Sequence, residues 1–228
     1  MPSIATRNEP LPLPINRYID LSALKPELTV AEAAEAVKLG LKHDVYTVCV
    51  RPADIPLAHQ LCRRTQTAVC TVLSFPHGTG LFESKTDEAA RYVDMDVAEI
   101  DMVVNYALIR SGEWKRVEQD IRAAARVTRP AKVILKVILE TAALNTQQIA
   151  RATGVAIAAE ADFVKTSTGF GFGGATEEAV AAMLHAAAGR IGVKASGGIR
   201  DRAAAEKFIR MGCTRLGIGY GSVEAVCG

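Results

Sequence analysis

Short apolar runs rich in Val, Ile and Leu alternate along the chain with longer alanine-rich stretches, in a rhythm that stays regular to the end. Residues 17–21, 45–50, 68–75, 99–105, 131–139, 161–166, 192–195 and 214–218 read as strands. Between them, 30–42, 53–64, 85–94, 114–127, 146–159, 177–188 and 203–211 read as helices. Thr29, with Glu32 three positions on, stands where a helix N-cap is expected, as do Asn145 and Thr176. Gly40, Gly154, Gly189 and Gly212 are expected to mark helix ends.

Parallel neighbours need a crossover helix, so this alternation predicts a parallel sheet. Eight such units in 228 residues fit a closed (β/α)8 TIM barrel near the lower end of its size range. An open doubly wound sheet is the runner-up, but no Gly-x-Gly-x-x-Gly follows the first strand. No Pro/Gly/Ser linker interrupts the middle of the chain. The expectation is therefore an α/β single domain: a short N-terminal extension at 1–16 and a catalytic barrel at 17–228.

Composition narrows the function classes. Hydrophobic residues make up 49% and charged residues 23%, an ordinary globular balance. The 27 basic and 25 acidic residues are interspersed, and aromatics are only 5%, so a nucleic-acid partner is not expected. No run of about 18 uncharged apolar residues occurs, so no membrane partner is expected either. Arg7 and Glu9 interrupt any apolar lead, which argues against a signal peptide. The five cysteines form no Cys-x-x-Cys pair, and a reduced, cytoplasmic protein is expected.

The informative anomaly lies in the strands themselves. Barrel strands are covered on both faces and should be nearly pure Val, Ile, Leu and Ala. Here Asp101, Lys136, Lys165 and Lys194 each sit between apolar neighbours that face the opposite way. The valines would then meet the outer helices while the charges face the centre. Internal salt bridges, Asp101 to one lysine and Glu140 to another, are one reading. Chemistry is the other: desolvation and an adjacent like charge favour a neutral, nucleophilic amine, and a nearby carboxylate can move protons. Such a Schiff-base site needs no metal and no cofactor. The four histidines show no ligand spacing, although His77 falls on a loop of the face where barrel sites lie. Cys49 and Cys70 read as small core residues.

Glycine-rich segments follow the last three strands: Gly169 to Gly174, Gly197-Gly198, and Gly217 to Ser222. Loops after the seventh and eighth barrel strands often hold phosphate, and Ser222 is expected at the start of a last helix.

Ala161-Asp-Phe-Val-Lys165-Thr-Ser-Thr-Gly169, Lys194-Ala-Ser-Gly-Gly198-Ile-Arg200 and Ala98-Glu-Ile-Asp101-Met-Val-Val-Asn105 closely resemble the deoxyribose-phosphate aldolase family of class I aldolases. Supporting matches at Asp20, Cys49, His77, Glu140 and Thr176 keep the same order and extend the resemblance over nearly the whole chain. It implies reversible cleavage of 2-deoxy-D-ribose 5-phosphate to acetaldehyde and D-glyceraldehyde 3-phosphate, in deoxynucleoside catabolism. It implies Lys165 as the Schiff-base nucleophile. Lys194 would be the cation that keeps Lys165 neutral, and Asp101, through a water, the proton donor and acceptor. Gly169, Gly197, Gly198, Gly219 and Ser222 would contact substrate, Lys136 would either line the pocket beside them or be purely structural, and a homo-oligomer, a dimer first, is the expected assembly. Asp20-Leu-Ser22 departs from the Asp-His-Thr often seen there, and Gly219-Tyr220 replaces small hydroxyl residues. The second departure leaves open an aldolase preferring unphosphorylated aldehydes. A keto-acid aldolase using Arg200 or Arg215 and a non-catalytic phosphate-binding barrel are further alternatives.

Overall fold

A computed structural model describes residues 10–228, so Pro2, Arg7 and Glu9 of the expected extension lie outside the described residues. Eight parallel strands form a closed barrel in chain order: β1 Ile19–Ala23, β2 Thr47–Val50, β3 Ala68–Leu73, β4 Glu99–Val103, β5 Ile134–Ile138, β6 Phe163–Lys165, β7 Gly192–Ser196 and β8 Arg215–Gly219. β8 closes onto β1 through the pairs Ile19–Leu216 to Ser22–Gly219. The outer layer is α1 Val30–Lys42, α2 Ile55–Cys62, α3 Phe82–Asp94, α4 Tyr106–Arg110, α5 Trp114–Thr128, α6 Thr146–Ala158, α7 Glu177–Ala187, α8 Arg202–Met211 and α9 Val223–Cys227. This is the (β/α)8 barrel that the alternation predicts.

The hydrophobic core lies between strands and helices. Leu21, Val48, Ile100, Met102, Leu135, Val137, Val164, Leu216 and Ile218 point outward and are fully buried against the helix layer. Each such side chain contributes about 1.5–3 kcal/mol of burial. Alternation then sends the intervening residues, Asp20, Asp101, Lys136 and Lys194 among them, to the barrel interior. Thr29 and Asn145 form complete capping boxes with Glu32 and Gln148, and Thr176 caps α7 by accepting the Ala179 N–H, as their positions predict.

Several boundaries differ from the sequence reading for local reasons. The first strand starts at Ile19, because Ile15–Tyr18 is a 3-10 turn whose Arg17 guanidinium reaches the Asp44 and Val45 carbonyls. β3 stops at Leu73, where Ser74 takes a positive φ of 52° and turns the chain. β4 stops at Val103 because a buried pair behind it captures the next backbone groups. Lys85 on α3 bonds Asp120 on α5 (2.7 Å) and donates to the Val103 carbonyl (3.1 Å), while Asp120 accepts the Asn105 N–H (2.8 Å). α4 was not foreseen. Gly189 follows α7 and Gly212 caps α8, but Gly40 and Gly154 lie inside helices. At Gly40 the reason is packing: a Cβ there would lie 2.8 Å from a Val48 methyl group.

Candidate active site

Strand register decides which interior groups meet. Lys165 and Lys194 are Cα partners on β6 and β7, so their side chains leave the sheet side by side. Asp101 and Lys136 are likewise partners on β4 and β5. On β5, however, it is Ile138 that pairs with Lys165, and Lys136 pairs with Phe163. Lys136 therefore sits two residues, roughly 6–7 Å, deeper than Lys165 towards the N-terminal end of the barrel.

Asp101 is the hub. Its Oδ2 accepts Lys165 Nζ (2.7 Å) and Lys194 Nζ (2.8 Å), and its Oδ1 accepts Lys136 Nζ (2.7 Å). Lys194 also bonds Asp20, and Lys136 reaches Glu99 (2.6 Å) and Asp20 (3.5 Å). Beneath them Arg215 joins Asp20 (2.7 Å) to Glu99 (3.0 Å) and stacks on the Tyr46 ring, 3.7 Å from its centroid. Three carboxylates thus face three lysines and one arginine. Asp20, Asp101 and Lys136 have no exposure, and Lys165, at 2%, is the most accessible of the three lysines.

The electrostatics follow from this packing. Burial alone would raise the Asp101 carboxyl, but Lys136, Lys165 and Lys194 outweigh it and hold Asp101 well below the usual carboxylate range. Asp20 is lowered in the same way by Lys194, Lys136 and Arg215 against its own desolvation. Burial would push Lys194 down, yet Asp101 and Asp20 hold it above an ordinary lysine, and Lys136 is likewise raised by Asp101 and its neighbours. Both ammonium groups are fixed cations at neutral pH.

The structure brings together Asp101, Lys165 and Lys194, as the interrupted strands imply. Lys136 is in the same cluster but at its floor, enclosed by carboxylates. The internal pairing of Asp101 exceeds the one lysine expected. Glu140 pairs with no lysine among the described residues: its Oε2 accepts the Thr168 N–H (3.0 Å). Sequence reasoning passed over Glu99 and used Asp20 only as a motif match. Both carried a legible signal, since Glu99 shares the face of Asp101 two residues on. Cys49 and Cys70 are buried with Leu24, Val72 and Phe75, but Cys70 also touches the hub, 3.5 Å from Asp101 Oδ1. Cys49, Cys70 and Asp101 lie within 4.8 Å of one another, a spacing compatible with a metal ion. The Lys136 ammonium, 3.5 Å from Cys70 Sγ, already supplies the positive charge there.

The glycine-rich loops ring the mouth above. Gly169 (φ 82°), Gly197 (φ 87°) and Gly198 (φ 78°) adopt left-handed backbone, open to glycine at little cost. The loops after β6 and β7 touch backbone to backbone: a Cβ on Gly174 would lie 2.2 Å from the Gly197 carbonyl oxygen, which accepts the Ala175 N–H. Gly219 ends β8 with open space around it, and Ser222 precedes the five-residue α9. Tyr220 lies between them with Lys25 Nζ 5.9 Å from its ring centroid. His77 is exposed on the loop after β3. A cleft of about 560 Å³ at the opposite end of the barrel, lined by Cys62, Asp96 and Lys132 among others, contains none of these residues.

Residues 15–217 match the model of the DeoC/LacD family of aldolases. A deoxyribose-phosphate aldolase from Geobacillus sp. (strain WCH70) is 40% identical over 91% of this chain and 92% of its own length. Among solved structures, one titled "QR15, an Aldolase" superposes with a TM-score of 0.86 at 37% identity, covering 93% of this chain and 94% of that one. The deoxyribose phosphate aldolase of Aeropyrum pernix, described as a unique tetramer, shares the fold at a TM-score of 0.85 and 24% identity, over 93% of this chain and 89% of that one.

Proposed function

Because the chain belongs to the DeoC/LacD family of aldolases, we propose that its cluster of Asp101, Lys165 and Lys194 is the site of a class I deoxyribose-phosphate aldolase. The enzyme is a carbon–carbon lyase that splits 2-deoxy-D-ribose 5-phosphate into acetaldehyde and D-glyceraldehyde 3-phosphate. The observation that carries the reading is a single carboxylate oxygen, Asp101 Oδ2, shared by Lys165 and Lys194.

In this reading the Lys165 amine attacks the aldehyde carbon of the open-chain sugar, and loss of water leaves an iminium. The four basic groups face three carboxylates, so the cluster is electrically balanced with one amine neutral. Lys165, nearest the mouth, is the amine a carbonyl reaches. Removal of the proton from the 3-hydroxyl breaks the C2–C3 bond, and the electron pair flows into the iminium to give an enamine and glyceraldehyde 3-phosphate. Protonation at C2 and hydrolysis release acetaldehyde and regenerate the amine. Asp101, bonded to both lysines, relays these protons through a solvent molecule. Lys194, a fixed cation, keeps the local charge positive as the carbinolamine oxygen leaves. Gly169, Gly197, Gly198, Gly219 and Ser222, around the mouth, bind the phosphate end, and no metal or cofactor takes part.

The wider assignment is a cytoplasmic enzyme of deoxynucleoside catabolism that assembles as a homo-oligomer, the dimer being the default symmetric assembly. No helix among the described residues is long and apolar enough to cross a membrane. Borohydride trapping with acetaldehyde, followed by peptide mass mapping, tests the chemistry. A two-carbon adduct on Lys165 supports the assignment. An adduct on Lys194 alone would exchange the two roles, and a folded protein with no adduct would overturn the reading.

A further inference from the structure

Glu140, a buried acidic group just after β5, is left unused by these steps. It follows β5 in left-handed backbone (φ 53°), a conformation that side chains rarely adopt. Its neighbours are tied to the strand of the Schiff-base lysine: Leu139 N–H donates to the Lys165 carbonyl and Thr141 N–H to the Thr166 carbonyl, both at 2.9 Å. The side chain is 1% exposed. Its Oε2 accepts the Thr168 N–H (3.0 Å), while Oε1 is buried with no hydrogen-bond partner among the described residues. A buried carboxylate with a single hydrogen bond is costly, so the fold keeps it against a gradient.

What lies on that carboxylate is the loop after β6. A Cβ on Gly171 would come 3.0 Å from Glu140 Oε1 and 3.1 Å from Cδ, so the chain passes over Glu140 more closely than most side chains tolerate. The Phe170 N–H donates to Thr168 Oγ1 (3.0 Å), and the Phe170 ring packs edge-on against Phe75, 5.2 Å between centroids. The segment runs straight from Lys165 through Thr168 to Gly169.

We propose that Glu140 is a positioning residue: its Oε2, bonded to the Thr168 N–H, seats residues 168–171 over the barrel mouth so that Gly169 is presented to the phosphorylated end of the substrate. The inference rests on the aldolase reading above. It assigns Glu140 no contact with the reacting carbon. Loss of the seat should therefore weaken substrate binding and spare imine formation with acetaldehyde, which lacks the phosphate arm.

The test compares the full-length enzyme with Glu140→Ala, Glu140→Gln and Gly171→Ala, by steady-state kinetics on 2-deoxyribose 5-phosphate and by borohydride trapping with acetaldehyde. Glu140→Ala is expected to raise KM about tenfold or more with kcat within about threefold, while trapping at Lys165 proceeds at the parental rate. Glu140→Gln, whose amide oxygen can still accept the Thr168 N–H, should recover most of the loss. Gly171→Ala should raise KM in the same direction as Glu140→Ala but by less, because its methyl group would crowd Glu140 Oε1 and Cδ by a few tenths of an ångström. It also decides the matter if Glu140→Ala fails to fold. An unchanged KM in Glu140→Ala or Gly171→Ala, or a Gln variant as impaired as Ala, overturns the proposal. If the parent enzyme traps no imine on Lys165, the aldolase reading itself fails, and this inference with it.

Discussion

Lys165 and Lys194 are register partners on adjacent parallel strands, and their Nζ atoms share one oxygen of Asp101 at 2.7 and 2.8 Å. Few arrangements place two lysines so close in a protein interior, because each must be desolvated and each repels the other. The carboxylates beneath, Asp20 and Glu99, offset that cost through Lys194, Lys136 and Arg215. Different members of the cluster therefore predict different defects when removed.

Replacing the nucleophile should abolish the covalent route while leaving the fold. Lys165→Ala is expected to lose at least about a thousandfold in kcat, the scale on which removing an essential group acts. The mass adduct formed with acetaldehyde and borohydride should vanish, and the far-ultraviolet circular dichroism should stay parental. A surviving adduct at another lysine would show that Lys165 is not the nucleophile.

Removing the hub should damage stability as well as activity. Asp101→Asn leaves the buried Lys136 and Lys194 ammonium groups short of a counter-charge, and breaking a buried ion pair from one side costs about 3–5 kcal/mol. Urea unfolding should register that loss, and kcat should fall by roughly 100- to 10,000-fold with the proton relay gone.

The same cluster sets the pH profile of stability. Asp101 and Asp20 have folded pKa values below their unfolded ones, so their contribution is present above about pH 4 and is lost as pH falls through the folded values. Lys136 and Lys194 have folded values above the unfolded one. Their contribution is present below about pH 10 and is lost as pH rises through the folded values. Unfolding free energy measured against pH should show a plateau with an acid limb that is shallower in Asp101→Asn. Identical acid limbs would contradict the coupling.

Lys136 separates a structural from a substrate-binding role. Its depth, beneath Lys165 and among Asp20, Glu99 and Asp101, leads us to expect that Lys136→Met loses several kcal/mol of stability, about 3–5 by the same argument. Acetaldehyde should still be trapped on Lys165 whenever the protein is folded. A raised KM with unchanged stability would instead make Lys136 a substrate contact.

The phosphate arm can be tested on the substrate. Turnover of 2-deoxyribose 5-phosphate should exceed that of 2-deoxyribose by orders of magnitude, despite Tyr220 in place of a small hydroxyl residue. Tyr220→Ser should then lower KM for the phosphate ester if the ring narrows the site. Equal turnover of the two sugars would return weight to an enzyme that prefers unphosphorylated aldehydes.

Much of this protein is written locally. The alternation of apolar runs and helices, together with caps such as Thr29 and Asn145, is a pattern of neighbours in sequence, and it determined the barrel class and most element positions. Charges inside apolar strands likewise marked Asp101, Lys165 and Lys194, because period-two alternation tells which face a residue takes without knowing what it meets. Partnership was left to the tertiary structure. Only strand stagger decides that Lys136 lies deeper than Lys165, that Asp20 on β1 closes the ring with Arg215 on β8, and that Glu140 supports the Thr168 backbone rather than a lysine. Gly40 has the same cause: its place inside a helix is set by Val48, a residue on the following strand, through a contact of 2.8 Å that no helix-end rule contains. These contacts depend on how far each strand is shifted against the next around a closed sheet. That shift is a collective property of all eight strands and has no local signature.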